Sequence, residues 1–197
     1  FNEFKNLKVI ASFGAGVDHI FEDESLPNNI VVTKIVDNQL TKDMSDFVLM
    51  HCFNYTRNIP FYNKMQSQHE WKAVKYKNPS EVQVGVMGLG TLGSAVARNL
   101  ASNGFKVSGW SNSRKEIENV ESYTKKELKL FLHKAEILIC LLPLTKETKG
   151  ILNIDLFEEL PDQSCLINVA RGAHLKENDL KLALESGKLK TAFLDVF

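Results

Sequence analysis

The sequence predicts an α/β chain built around a doubly wound, parallel sheet. Three observations carry that expectation: strand and helix signals alternate through most of the chain, several strand segments are apolar on both faces, and a Gly-x-Gly-x-x-Gly turn joins one strand to an amphipathic helix. Parallel strands need crossover helices, and a strand covered by helices on both sides has no polar face.

Taken in order, strands are expected at residues 7–11 and 30–35. From 41 to 71 the period changes: Met44, Phe47, Val48, Cys52, Tyr55 and Ile59 recur at helical spacing. Pro60, with a fixed backbone angle and no N–H, can open a second helix or kink the first. Residues 72–80 are polar and finish in Asn78-Pro79-Ser80, a linker composition, so a new unit starts at Val82. Its strands are expected at 82–87, 105–110, 137–142, 165–169 and 192–196. Thr124-Lys125-Lys126-Glu127 matches a capping box, in which two side chains satisfy free backbone N–H groups reciprocally. Gly187 is placed to stop a helix over 180–186.

The chain has 197 residues, of which 44% are hydrophobic and 24% charged, which describes a globular chain and excludes fibrous and disordered ones. Lys plus Arg number 24 and Asp plus Glu 24, so no net field draws nucleic acid or an anionic membrane. Small molecules or other protein chains are the expected partners, with no nucleic acid, no membrane and no metal. Cys52, Cys140 and Cys165 are odd in number and widely spaced, which suits a reducing, cytoplasmic setting. Phe1 in place of a methionine and the abrupt finish at Leu194-Asp195-Val196-Phe197 suggest a fragment.

The most informative segment is Val84-Gly85-Val86-Met87-Gly88-Leu89-Gly90-Thr91-Leu92-Gly93, a strand running into a helix. Gly88 would allow the tight turn, Gly90 would let a pyrophosphate approach the backbone, and Gly93 would let helix and strand pack closely. Free N–H groups and the helix dipole would then face phosphate, so a Rossmann-like, dinucleotide-binding unit is expected, with a tight strand-to-helix turn that holds no ligand as the competing reading. An acid at the end of the next strand would hold the ribose hydroxyls of NAD, but the chain reads Trp110-Ser111-Asn112-Ser113-Arg114-Lys115. Hydroxyls, an amide and two cations suit a 2′-phosphate, so NADP(H) is expected to be preferred, with NAD(H) still possible. Arg114 and Lys115 as merely solvated residues are the competing reading.

Two further segments, Pro143-Leu144-Thr145-Lys146-Glu147-Thr148 and Ala170-Arg171-Gly172, follow predicted strands at their carboxyl ends, the edge where ligands of open α/β sheets bind. Spacing alone leaves Arg171 three readings: a phosphate contact, a solvated residue, or a cation gripping a substrate carboxylate through two hydrogen bonds.

Five segments in order, Gly14-Ala15-Gly16-Val17-Asp18, Gly88-Leu89-Gly90-Thr91-Leu92-Gly93, Leu142-Pro143-Leu144-Thr145, Asn168-Val169-Ala170-Arg171-Gly172 and Leu194-Asp195-Val196-Phe197, resemble the D-isomer-specific 2-hydroxyacid dehydrogenases. The Trp110-to-Lys115 stretch with Ala170-Arg171-Gly172-Ala173-His174 is most similar to their glyoxylate/hydroxypyruvate reductase A branch. The resemblance implies a flavodoxin-like substrate (lid) domain, represented by residues 1–37, and an NAD(P)-binding domain at 38–197, C-terminally incomplete. Within the latter, 41–71 would be a helical dimerisation arm and 82–197 the Rossmann core; packing within one chain is the alternative for the arm. Ala15 and Gly16 would offer N–H groups to the substrate carboxylate, and Arg171 would hold it and polarise the 2-oxo group. Gly88, Gly90, Thr91, Leu92, Gly93, Ser111, Asn112, Ser113, Arg114, Lys115, Leu142, Pro143, Thr148, Val169 and Ala170 would line the cofactor, and Asp195 would meet its carboxamide.

The implied activity is NADPH-dependent reduction of a small 2-oxo acid, glyoxylate or hydroxypyruvate, by a homodimer. Alternatives are another member of the family, of phosphoglycerate or lactate type, or a non-catalytic NAD(P)-sensing protein. The family's proton donor, a histidine held by a glutamate, follows the Leu-Asp-Val segment, so this chain alone is expected to retain at most cofactor binding. None of His19, His51, His69, His133 and His174 takes that place by motif, and His174 is expected to be a bystander.

Overall fold

Alternating small and branched side chains let the central strands bury both faces, and the computed structural model, which describes residues 1, 3–14 and 16–197, shows where each face goes. Two short parallel strands, β1 (Val9–Ser12) and β2 (Val31–Lys34), flank the one-turn helix α1 (Asp18–Phe21) and pair Val9 with Val31. The main sheet holds β3 (Gln83–Met87), β4 (Lys106–Ser111), β5 (Val120–Thr124), β6 (Ile137–Cys140), β7 (Ser164–Asn168) and β8 (Leu189–Leu194). All its pairings are parallel and its order is β5-β4-β3-β6-β7-β8, the Rossmann order that reverses at β3.

Successive residues of a strand point to opposite faces, so the sheet sorts its own core. Val84, Val86, Ile137, Ile139, Cys165 and Ile167 share a buried cluster with helices α2 (Asn38–Thr56) and α4 (Thr91–Ser102), through Val48, Cys52, Val96, Ala97 and Leu100. Met87, Leu138, Cys140 and Leu166 face the other way. There they meet Phe131 of α5 (Leu128–Leu132), Phe157 of α6 (Ile154–Glu158) and Leu180 of α7 (Glu177–Glu185).

The helical stretch begins earlier than its apolar period suggests, because Asp37 caps it by accepting the Gln39 N–H at 2.7 Å. Asn58, left-handed at φ 54°, then reverses the chain, and Pro60 opens the second helix, α3 (Ile59–Ser67), rather than kinking the first. Val48 and Cys52 are fully buried, so one face of α2 packs within this chain, while Leu40, Met50 and Ile59 remain exposed. The box at Thr124 and Glu127 forms and starts a 3₁₀ turn leading into α5, and Gly187 at φ 77° follows α7. Strand expectations shift as well: β1, β2 and β6 differ by one or two residues at their ends from 7–11, 30–35 and 137–142. An unanticipated edge strand, β5, precedes the capping box, and β8 lies at Leu189–Leu194 rather than 192–196 because its residues follow the register of β7, with Asn168 opposite Leu194. Among the described residues no helix is long and apolar enough to cross a membrane, and no group of His, Cys, Asp or Glu could hold a metal ion.

Candidate functional site

The glycine turn sits at the carboxyl end of β3, where the strand order reverses. Gly88 adopts φ 99°, closed to ordinary side chains, and its N–H donates to the Trp110 carbonyl at 2.8 Å. Gly93 brings α4 down onto that turn: a Cβ on it would lie 1.8 Å from the Gly88 oxygen. Gly90 is different, because a Cβ there would meet no atom within 4 Å. It precedes α4 with no side-chain cap, so the first N–H groups of the helix have no side-chain partner. A cleft of about 470 Å³ opens here, lined among others by Gly90, Thr91, Ser94, Arg98, Lys115 and Glu116. An open backbone approach, an uncapped helix start and two cations fit the phosphates of a dinucleotide. Trp110 Nε1, at the end of β4, is among the described residues the buried side-chain polar atom with no partner.

The loop after β4 divides its two cations. Lys115 lines the cleft, whereas Arg114 donates to both Glu127 oxygens at 2.9 Å and to the Ser122 carbonyl at 2.8 Å. Arg114 thus ties its own loop to the start of α5 instead of entering the cleft. Ser111 Oγ donates to the Ser113 carbonyl at 2.7 Å, and the Lys115 N–H to Ser122 Oγ at 2.9 Å, which fixes the loop further. Arg98, one turn beyond Ser94 on α4, supplies the second lining cation.

Across the same sheet edge, the turn after β7 presents Arg171. Buried Asn168 accepts the Ala170 N–H at 3.2 Å and donates to the Arg171 carbonyl at 3.0 Å, folding the turn so that the guanidinium projects outward. There it meets the loop between β1 and α1. Arg171 Nε and Nη2 donate to the two Asp18 oxygens at 3.0 and 2.8 Å, and Nη1 donates to the Ala170 carbonyl at 2.6 Å. That guanidinium holds the Asp18 carboxyl below the usual carboxylate range through its hydrogen bonds. Gly16 lies against the group so closely that a Cβ on it would fall 1.4 Å from Arg171 Nη2. Two of the expected substrate residues, Gly16 and Arg171, are therefore together, while Ala15 lies outside the described residues.

Other expected residues follow the carboxyl ends of β6, β7 and β8, while Leu92 lies in the first turn of α4 and Asn112 just after β4. Leu142, Val169 and Ala170 are buried, and Thr148 Oγ1 donates to the Pro143 carbonyl at 2.7 Å, shaping the loop after β6. Asp195 is exposed just beyond β8, its N–H donating to the Asn168 carbonyl at 3.0 Å. His174 is completely buried, with Nδ1 3.2 Å from the Arg171 carbonyl and Nε2 3.3 Å from that of Pro143, so it links the two loops. Burial lowers its pKa, although both carbonyls pull the other way. A native histidine with a depressed pKa stays neutral where the unfolded chain, titrating near 6.5, has already taken a proton. Its contribution to stability is therefore intact above about pH 6.5 and declines as pH falls through that value toward the native pKa. Urea unfolding of His174→Gln and the parent chain between pH 7.5 and 5.5 should show a shallower acid decline in the variant, and parallel curves would refute this role.

Asp18, Asn168 and Glu127 stand within legible motifs that carry no sign of their parts here, and Arg98 stands in none. The signal for Arg98 was available: Thr91, Ser94 and Arg98 follow one another on one face of an amphipathic helix.

The model of the family described as D-isomer specific 2-hydroxyacid dehydrogenase, NAD binding domain, matches residues 49–197. Glyoxylate/hydroxypyruvate reductase A of Serratia proteamaculans is 41% identical over 197 residues, covering 97% of this chain and 63% of the relative. Among solved structures, a D-isomer specific 2-hydroxyacid dehydrogenase of Xanthobacter autotrophicus Py2 in complex with NADPH and MES superposes with a TM-score of 0.95 at 40% identity, over 100% of this chain and 62% of that one. The NADPH-dependent glyoxylate/hydroxypyruvate reductase of Sinorhizobium meliloti in complex with NADP and sulfate gives 0.94 at 41%, over 100% and 64%. The chain thus spans about 63% of the length of the curated relative.

Proposed function

The chain belongs to the D-isomer specific 2-hydroxyacid dehydrogenases, and from that premise we propose that it binds NADP(H) in preference to NAD(H) and serves the reduction of a small 2-oxo acid, glyoxylate or hydroxypyruvate, to the 2-hydroxy acid. The observation that carries the reading is the meeting of Gly16 and Arg171 at the same sheet edge as the open glycine turn. The nucleotide, when bound, supplies a hydride. Gly90 and the start of α4 receive its phosphates. Lys115 and Arg98, with the hydroxyls and amide of Ser111, Asn112 and Ser113, favour a 2′-phosphate, while Arg114 secures their loop to Glu127. Leu142, Pro143, Val169 and Ala170 form an apolar floor, and Asp195 stands at the edge to orient a carboxamide.

Arg171 grips the substrate carboxylate and stabilises negative charge on the 2-oxo oxygen, with backbone N–H groups of the 15–16 loop assisting. On this reading residues 1–37 belong to a substrate domain and 38–197 to the cofactor domain. Exposed Leu40, Met50 and Ile59 support pairing of two copies through α2 and α3.

Calorimetric titration of the chain should show NADPH binding at least roughly tenfold more tightly than NADH, the size of one charge-assisted hydrogen bond. Lys115→Ala should erase most of that margin while leaving NADH unaffected. Equal affinities for the two nucleotides in the unmutated chain would sink the NADP assignment.

A further inference from the structure

The strongest arrangement outside the expected roles is the ion pair that joins Asp18 to Arg171 across the two sheets. A guanidinium has five N–H donors. Asp18 takes one from Nε and one from Nη2 as a parallel pair, and the Ala170 carbonyl takes one from Nη1. One N–H is then left on each terminal nitrogen, a spacing that matches the two oxygens of a second carboxylate. Gly16 borders the outer end of the group, since a Cβ on it would fall 1.4 Å from Nη2 and 2.7 Å from Cζ, so an incoming carboxylate would meet the guanidinium beside the Gly16 backbone. Arg171 keeps 39% of its side-chain surface exposed while Asp18 keeps 18%, so the cation faces the edge and the anion sits behind it.

We propose that Asp18 is a positioning residue: it clamps the inner side of the Arg171 guanidinium so that the two free N–H groups are presented, already aligned, to an incoming carboxylate. Without the clamp a flexible arginine must be ordered at the moment of binding, which weakens the grip. The opposite arrangement, in which Asp18 competes with the substrate for the guanidinium, would require the ligand to break the pair. This inference rests on the assignment of Arg171 as the carboxylate anchor.

The test has two arms on the 197-residue chain. In the ligand-free arm, nitrogen-15 spectra follow hydrogen exchange at Arg171 Nε–H, identified by its loss in Arg171→Lys. That proton should exchange slowly in the parent chain and in Asp18→Glu, and rapidly in Asp18→Asn. In the second arm oxamate, a small 2-oxo carboxylate analogue, is titrated into chain saturated with NADPH. Asp18→Asn should weaken oxamate roughly tenfold with NADPH affinity unchanged, and Asp18→Glu should recover part of the loss. A purely structural role would move stability without separating the two ligands. Oxamate bound as tightly or more tightly by Asp18→Asn overturns the proposal, as does Nε–H exchange equally fast in both chains. Slow exchange in the parent chain with no oxamate binding anywhere means instead that Arg171 is not a carboxylate anchor, and the inference falls with that assignment.

Discussion

Arg171→Ala is expected to weaken binding of oxamate by the NADPH-saturated chain by roughly two to three orders of magnitude, while NADPH affinity stays within about twofold. The size follows from losing two charge-assisted hydrogen bonds to a carboxylate, each on the order of 1.5–3 kcal/mol, reduced because the group is partly open to water. Stability should change little, because an ion pair with one partner 39% exposed contributes at most about 1 kcal/mol. Asp18, released from its partner, should titrate closer to the ordinary carboxylate range. Calorimetry with both ligands, alongside a thermal melt, separates these effects. Retained oxamate affinity in a folded variant would remove Arg171 from the proposed mechanism.

Gly93→Ala is expected to unfold a large fraction of the chain or cost it about 3 kcal/mol, and to abolish measurable NADPH binding. The added methyl would lie 1.8 Å from the Gly88 carbonyl oxygen. That neighbour is backbone at φ 99°, so it cannot rotate away as a side chain would. Relief requires lifting α4 from the turn, which is overpacking at the high end of its usual range. Gly90→Ala is the contrasting variant. With nothing within 4 Å of its methyl, it should melt like the parent chain yet lose nucleotide affinity, because the methyl occupies the approach to the phosphates. Full NADPH affinity in Gly90→Ala would show that the nucleotide does not pass there.

The parts of the fold legible in the sequence are those where one physical demand acts alone. β3, β6 and β7 are apolar on both faces because both are covered, and the glycine turn must be glycine for reasons of backbone geometry. β5 was hidden because Val120, Glu121, Ser122, Tyr123 and Thr124 form an edge strand, half exposed, whose polar residues read as the approach to the capping box. Glu127 was legible only as a cap. The same carboxylate accepts the Thr124 N–H at 2.9 Å and both Arg114 hydrogen bonds, and no local pattern announces the second task. The site divides along the same line. Arg171 could be placed at the ligand edge, but Asp18 lies far from it in sequence, and only the folded chain brings the two within 2.8 Å.

The strand order also governs how the chain must assemble. β3, β4 and β5 are consecutive in sequence, as are β6, β7 and β8, so each half of the sheet closes short loops as it forms. Only the seam between β3 and β6, which sets Val84 beside Ile137, must bring together strands with two others between them in the chain. Long closures come late and set the pace of folding. The cleft beside the glycine turn is lined wholly from the half that holds β3 and β4, so a ligand seated there binds that half once it is folded. Its concentration then enters the folding equilibrium directly, adding about 2.7 kcal/mol at a hundred times its Kd. Nucleotide supply would thereby act on how much of the chain exists in the folded state, apart from any turnover it supports.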